Sequence, residues 1–383
     1  MSAFRMVLIG PPTVHSARWK SEFERRGWVV VRAAYGAPDL TADAHFAEVA
    51  IETGGRFTLV RTAAGLRREA RRLARFVEQH RADVVCAHWF LGPAWLAAFG
   101  SAGRPVVATA WGSDVLLPFP GRSRATLVNR VAQRRFDVVT YDAELVRTAL
   151  RSLGVDERRL ERIVFGPDAS RFKPGPPSSE LLESLGVSIG DPVILSPRGL
   201  APVYAPDTVL RAFALAAPRA PGTLLVHVRP GEDELWDGLQ YLVPPEIAQR
   251  VVPYRGVEPD QLPALLNSAA VVVSVPESDG TSVTLLEALF CERPVVVSDI
   301  PANREWVSNG TRGRLVPIRE PAALGNALQA IIADPAGAGE CARRAAVDAR
   351  PRADGRRQFD RAAEVAERVV RGHRTRGSSA LSR

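Results

Sequence analysis

Residues whose types and spacing could do chemistry gather in one C-terminal segment, PESDGTSVTLLEALFCERPVVVSDIPANREWVSNGTRGRLVP (276–317). An apolar run, AVVVSV, ends at Pro276, and the loop Glu277-Ser278-Asp279-Gly280-Thr281-Ser282 then opens the helix-like stretch VTLLEALF. Serine and threonine at a helix start supply side-chain caps. The free amides and the dipole there favour an anion, typically phosphate. Asp279 and Glu287 stand eight residues apart, the first in the loop and the second a turn or more into the helix. Two carboxylates beside an anion hole suit a ligand with both hydroxyl groups and a diphosphate. Taken alone, each also reads as an ordinary loop or helix residue. Arg198 follows another apolar run, PVILS (192–196), and a planar guanidinium at a strand end suits bidentate contact with phosphate.

The N-terminal half offers weaker candidates. His15 lies near the first strand-to-helix loop, where Gly10-Pro11-Pro12 brings backbone close to any ligand, and could orient an acceptor. His88 ends the run DVVCAH (83–88); it reaches a cleft or is a satisfied, half-buried histidine. Asp114 in WGSDV serves chemistry or caps the next turn. Trp89, Trp95 and Trp111 could stack on ring-shaped acceptors, with core packing the more ordinary role. No His/Asp/Glu cluster has metal-ligand spacing such as H-E-x-x-H, so no metal is expected.

Ten short apolar runs should position these residues. They are 5–10, 28–33, 83–88, 105–110 and 137–141, then 192–196, 222–228, 250–254, 270–275 and 294–299. Continuously apolar runs suit strands buried on both faces. Most are separated by a helix-length amphipathic stretch, and repeated βα units imply parallel sheets with right-handed crossovers. FKPGPPSSE (172–180) reads as an interdomain linker. The expected organisation is an N-terminal domain over 1–174, a C-terminal domain over 178–350, and a last helix over about 352–372 that returns to the first domain. Two doubly wound domains facing each other would make a cleft, with ligands at the carboxyl ends of the strands.

Composition excludes other classes. With 383 residues, 46% apolar and 24% charged, the chain can build more than one core. Three scattered cysteines, Cys86, Cys291 and Cys341, exclude a disulfide scaffold and fit a reducing compartment. The N-terminus lacks a signal-peptide pattern. Val84–Gly103 carries no formal charge over a membrane-spanning length, but Gly92-Pro93 in its middle makes it strand, turn and helix. The net charge of +8 comes almost wholly from arginine, since lysine occurs only at Lys20 and Lys173. Compositional bias towards arginine and alanine is the ordinary reading of that charge; attraction to phosphates, of a nucleotide, an anionic lipid or a nucleic acid, is the functional one. No nucleic-acid-binding module is recognisable, and nucleic acid is not an expected partner.

The segment from Asp279 to Glu287 resembles the acidic-x7-acidic motif of the retaining family-four glycosyltransferases. SDGTSVTLLEAL, PVVVSDIPANREWV and NGTRGRLVP follow that family's C-terminal pattern. SPRGLAPVYAPDTVLRAF (196–213) is similar to its first C-domain strand, with Arg198 as the donor-binding arginine. TAWGSDVLLP (109–118), HSARWKSEFERRGWVV (15–30) and IVFGPDASRFKP (163–174) resemble its N-domain loop, its His-x-x-Arg-Trp helix and the segment before its linker. The resemblance covers most of 5–320, in order. It implies the two-domain GT-B fold and transfer from a nucleotide diphosphate sugar, with UDP the default and no cofactor or metal. It further implies that Glu287 holds ribose hydroxyls, Asp279 the transferred sugar, and Gly280, Thr281 and Ser282 the diphosphate, which Arg198 neutralises. His15, Arg18 and Trp111 are the candidate acceptor-binding residues, and His88 and Asp114 are candidate catalytic residues beside Asp279, Glu287 and Arg198. Acceptors would be a polysaccharide, a lipid-linked sugar or a small molecule.

The chain departs from that pattern at three points. Aspartate stands at 279 where the family usually has glutamate. The usual lysine five residues after the arginine is absent, with Val203 and Tyr204 at that place; Arg229, after the run LLVHV, is the available substitute. Glu292 replaces the usual glycine at a helix end, at a cost of roughly 1 kcal/mol or less. These departures keep a non-catalytic nucleotide-sugar or partner-binding protein as the alternative. The arginines of LRREARRLARF (66–76) form a solvated helix face or a contact with anionic headgroups. The expected location is cytoplasmic, with peripheral contact at the inner membrane face.

Overall fold

The computed structural model describes the chain apart from residues 1–2, 38, 40, 49–57, 117–127, 189 and 381–383. The ten apolar runs are strands, joined by three short ones. The first sheet holds β1 (Arg5–Gly10), β2 (Val29–Tyr35), β3 (Ala44–Phe46), β4 (Val84–His88), β5 (Val106–Thr109), β6 (Val138–Tyr141) and β7 (Leu160–Arg162). Their order is β3-β2-β1-β4-β5-β6-β7 and every pairing is parallel. The second holds β8 (Val193–Ser196), β9 (Thr223–His227), β10 (Val251–Tyr254), β11 (Ala269–Ser274), β12 (Val295–Ser298) and β13 (Arg314–Val316), all parallel, in the order β10-β9-β8-β11-β12-β13. These are two doubly wound Rossmann-like sheets.

β3, β7 and β13 escape sequence reading for one reason. Each is a three-residue strand; β3 and β13 close the edges of their sheets, and β7 closes the other edge of the first. A two-sided burial pattern never develops over three residues, so no apolar run marks them. The central strands differ: β4, β5, β8 and β12 are buried at every residue.

Chain contacts divide the molecule into two units, residues 1–164 with 357–383, and residues 165–356. The stretch read as an interdomain linker is hydrogen-bonded within the second unit. Asn267 holds it on both sides, accepting from the Gly175 amide at 3.1 Å and donating to the Lys173 carbonyl at 3.0 Å. Arg171 donates to the Pro259 carbonyl at 2.8 Å. The last helix runs from Gly355 to Ala380, and its Phe359 meets Trp19 of the first unit with ring centres 5.7 Å apart. Val84–Gly103 resolves into β4, a turn and the helix Pro93–Gly100. Among the described residues no helix is long and apolar enough to cross a membrane.

Each sheet reverses its winding beside its first strand. β1 lies between β2 and β4, and β8 between β9 and β11. At such a point the loops leaving the two central strands diverge and open a crevice at their carboxyl ends. In the first unit Gly10 ends β1 against His88 at the end of β4. A β-carbon on Gly10 would lie 2.8 Å from His88 Cβ and 3.1 Å from its carbonyl oxygen. Gly10→Ala is therefore expected to lower stability by about 1–3 kcal/mol, as overpacking does, measured by urea unfolding of the full chain.

Candidate functional site

In the second unit the candidates meet at the switch point. Arg198 follows β8 and Asp279 follows β11, and the guanidinium Nη2 lies 2.9 Å from Asp279 Oδ2. Arg198 Nη1 donates to Ser282 Oγ at 2.6 Å. The Ser282 hydroxyl is also the N-cap of the helix Val283–Phe290, accepting from the Leu285 amide at 3.3 Å. One serine thus joins the arginine to a helix N-terminus. Tyr204 lies beneath the pair of arginines, its ring centre 4.2 Å from Arg198 Cζ and 5.6 Å from Arg229 Cζ. Burial raises the Asp279 carboxyl against the pull of Arg198. The Gly280 amide pulls in the same direction as Arg198, and loss of the cation would favour the protonated carboxyl further.

The surrounding loops are fixed by backbone bonds. Glu232 Oε2 accepts from the Leu200 amide at 2.9 Å and the Arg229 amide at 3.0 Å, joining the loops after β8 and β9. The Glu277 amide donates to the Val203 carbonyl at 2.8 Å, and its carboxylate pairs with Arg319. Gly199 packs directly on Arg229: a β-carbon there would lie 2.6 Å from its Nε. The Arg229 side chain is exposed and makes no ion pair among the described residues. Gly280, Thr281 and Ser282 are buried as they enter the helix, and Glu287 is half-buried on its fifth residue. Where a glycine was usual, Glu292 has φ +54° and its carboxylate stands 3.2 Å from Arg350.

Sequence reading singled out Arg198, Arg229, Asp279, Gly280, Thr281, Ser282 and Glu287. It treated Tyr204 only as the place where a lysine was missing, and it overlooked Glu232. Both were findable in principle: an aromatic residue can bear guanidinium groups on its face, and a carboxylate three residues past Arg229 is placed to accept loop amides.

In the first unit His15, Trp111, His88 and Trp19 form a ring cluster at the carboxyl ends of β1, β4 and β5. Ring centres are 4.8 Å apart for His15 and Trp111, 5.3 Å for His88 and Trp111, and 4.5 Å for Trp19 and His88. Arg18 lies over Phe359 at 5.2 Å. His88 is 1% exposed and neither ring nitrogen finds a hydrogen-bond partner among the described residues. Burial, and then the charge of His15, pushes its pKa down to about 3. Asp114 is also buried, with its oxygens taken by the Phe90 and Trp111 amides. Burial pushes it up to about 6 against those bonds. Its geometry is that of a cap holding the loop that carries Trp111. Trp95 is core, Trp111 and Trp89 are half-buried, and Trp89 has φ +86°, a strained value for a side chain of that size. Among the described residues no group of three potential ligands could hold a metal.

His88 is neutral in the folded chain, whereas an unfolded histidine protonates near pH 6.5. Acidification from about 6.5 towards 3 thus adds protons to the unfolded state alone and removes stability, by up to about 1.4 kcal/mol per unit of pH. The expected outcome is a His88 ring that keeps its neutral NMR shifts from pH 8 to 5, with less acid destabilisation in His88→Phe than in the parent.

Residues 191–334 match the family described as "Glycosyl transferases group 1", and residues 11–166 match "Glycosyl transferase 4-like domain". The chain is 29% identical over 289 residues to the GDP-mannose-dependent alpha-(1-6)-phosphatidylinositol monomannoside mannosyltransferase of Mycolicibacterium smegmatis, covering 70% of this chain and 71% of that one. It is 28% identical over 203 residues to the D-inositol 3-phosphate glycosyltransferase of Nocardia farcinica, covering 51% of this chain and 45% of that one. The chain therefore spans less than half the length of the latter relative. Among solved structures, a glycosyltransferase from Rickettsia africae superposes with a TM-score of 0.78 at 14% identity, covering 97% of this chain and 99% of that one. Anabaena HepE in complex with UDP and glucose gives 0.76 at 18%, covering 95% and 99%. Those likenesses are likenesses of fold. The two family matches lie one in each α/β unit and together take in most of the chain, which belongs to the group 1 glycosyltransferases with a 4-like N-terminal domain and has the GT-B fold.

Proposed function

We propose that the protein transfers a sugar, with retention at the anomeric carbon, from a nucleoside diphosphate sugar to an acceptor hydroxyl. The observation that carries this reading is Arg198, held between Asp279, Ser282 and Tyr204 at the start of the helix bearing Glu287. Glu287 takes the ribose hydroxyls of the donor. The amides of Gly280, Thr281 and Ser282 line the diphosphate, and Arg198 and Arg229, both over Tyr204, neutralise it. Asp279 shares its carboxylate between Arg198 and the hydroxyls of the transferred sugar. The acceptor oxygen bonds to the anomeric carbon on the face from which the bond to phosphate breaks, and the departing diphosphate takes the acceptor's proton. Donors already fixed where that charge develops stabilise the transition state without reorganising. Guanidinium groups and a helix N-terminus supply the positive charge, so the reading assigns no metal.

His15, Arg18 and Trp111 are assigned to the acceptor, with Asp114 as a positioning residue for Trp111. UDP is the default nucleotide, and the M. smegmatis relative is described as GDP-mannose-dependent; both nucleotides enter the test. The descriptions of the two relatives favour an inositol-type or glycolipid acceptor over a polysaccharide. The five exposed arginines of the helix Thr58–Gln79 (67, 68, 71, 72 and 75) suit contact with an anionic membrane surface.

A nucleotide sugar at about 100 times its dissociation constant adds roughly 2.7 kcal/mol; a thermal-shift comparison of GDP-mannose and UDP-glucose identifies the base. Glu287→Ala is expected to lower donor kcat/KM about 100-fold or more with its unfolding midpoint retained, since two hydrogen bonds to a charged group are lost. Wild-type turnover in that variant overturns the assignment. Arg229→Ala is expected to cost roughly tenfold in donor kcat/KM and to leave acceptor KM unchanged in steady-state assays. Nucleotide-sugar binding without turnover towards any acceptor would identify a binding protein instead.

A further inference from the structure

Many arginines among the described residues pair with carboxylates, Arg147, Arg304 and Arg312 among them. One pocket of the first unit shows the usual balance: Arg357, Arg361 and Arg368 line it together with Glu161, Asp360 and Glu364. Glu161 there pairs with both Arg361 and Arg368. A second pocket on the same unit breaks the rule. It has a volume of about 500 Å³ and lies at the amino-terminal ends of β5, β6 and β7, the opposite end of the sheet from His88 and Asp114. Arg104, Arg134, Arg135, Arg159 and Arg376 line it, and Asp137 is its single carboxylate.

Asp137 is already used. Its Oδ2 accepts from the Val106 amide at 3.0 Å, and its Oδ1 lies 3.2 Å from Arg376. Arg159 donates to the Gln133 and Phe136 carbonyls at 2.8 Å each. Arg135 donates to the Ala98 carbonyl at 3.4 Å and lies over Phe99. Those neutral partners fix the two side chains and leave their charges uncompensated. Arg104 and Arg134 are exposed and make no ion pair among the described residues. Four uncompensated guanidinium groups around one concavity repel one another unless an anion enters, and guanidinium favours the geometry of phosphate oxygens.

We propose that this pocket is a second anion site, independent of the donor site, for a ligand with clustered phosphate oxygens. Arg159, half-buried and held by two carbonyls, forms its floor, and the exposed Arg104, Arg134 and Arg135 close on the ligand from the rim. The source is a soluble polyphosphorylated molecule or the headgroups of an anionic membrane.

The test uses the full chain and two probes. Inorganic tripolyphosphate is titrated calorimetrically, and co-sedimentation is followed with phosphatidylcholine vesicles with and without phosphatidylglycerol, both at low salt, where exposed charges are least screened. Arg104→Glu/Arg134→Glu is compared with Arg361→Glu/Arg368→Glu, which makes the same change in net charge at the balanced pocket. The expected result is a loss of one tripolyphosphate site, or of vesicle binding, by roughly tenfold or more in the first variant alone. Loss of tripolyphosphate binding alone marks a soluble ligand; loss of vesicle binding assigns the headgroup source. Equal losses in the two variants, an unchanged first variant, or no binding of either probe by the parent each overturn the proposal. Arg104→Gln/Arg134→Gln, which introduces no like charge beside Asp137, repeats the comparison if the glutamate variant fails to fold.

Discussion

Arg198 is a largely buried cation, its side chain 12% exposed, where the second sheet reverses its winding, and the loops around it are arranged to satisfy it. A charge taken out of water must be paired and hydrogen-bonded. Asp279 supplies the opposite charge, Ser282 a hydroxyl and Tyr204 an aromatic face. These partners come from the loops after β8 and β11. Glu232 ties the loop after β9 to the same frame through two amides, and the Glu277 amide bonds the β11 loop to Val203. Removing one partner of such a pair generally costs about 3–5 kcal/mol, because it leaves the other charge buried alone.

The first unit meets a related constraint without an ion pair. His88 and Asp114 are both buried at the carboxyl ends of its strands, and burial drives each towards its neutral form, the histidine down and the aspartate up. Asp114 offsets its desolvation with backbone amides. His88 packs against the rings of Trp19 and Trp111 with both nitrogens unpaired among the described residues, and its burial favours the uncharged form. Unsatisfied buried polar groups are few in native proteins and tend to mark functional positions. Its closeness to Gly10, at the reversal of the first sheet, makes the two units physically parallel: in each, a polar side chain is buried where the two central strands diverge.

The departures from the family pattern have local physical accounts. Arg229 carries a charge near the missing lysine's place, on the face of the ring that stands there instead. Asp279, one methylene shorter than glutamate, still reaches Arg198. Glu292 accepts a left-handed backbone that glycine adopts freely, and its carboxylate meets Arg350.

By itself the sequence determined the secondary structure of the long elements and the fold class. Strands buried on both faces need unbroken apolar runs, and βα repeats admit few parallel topologies. It also placed Asp279, Ser282 and Glu287 on one loop and the helix it opens, because they are local in sequence and backbone geometry sets their spacing. Only the tertiary structure decided how distant residues satisfy one another. Arg198 finds Asp279 across 81 positions and Tyr204 lies under two guanidinium groups; Asn267 fastens the apparent linker, and the unbalanced arginines meet at one end of the first sheet. The three edge strands belong to this second class too. Their pairing comes from a neighbour's open backbone groups, and nothing in three residues of side-chain pattern encodes that neighbour.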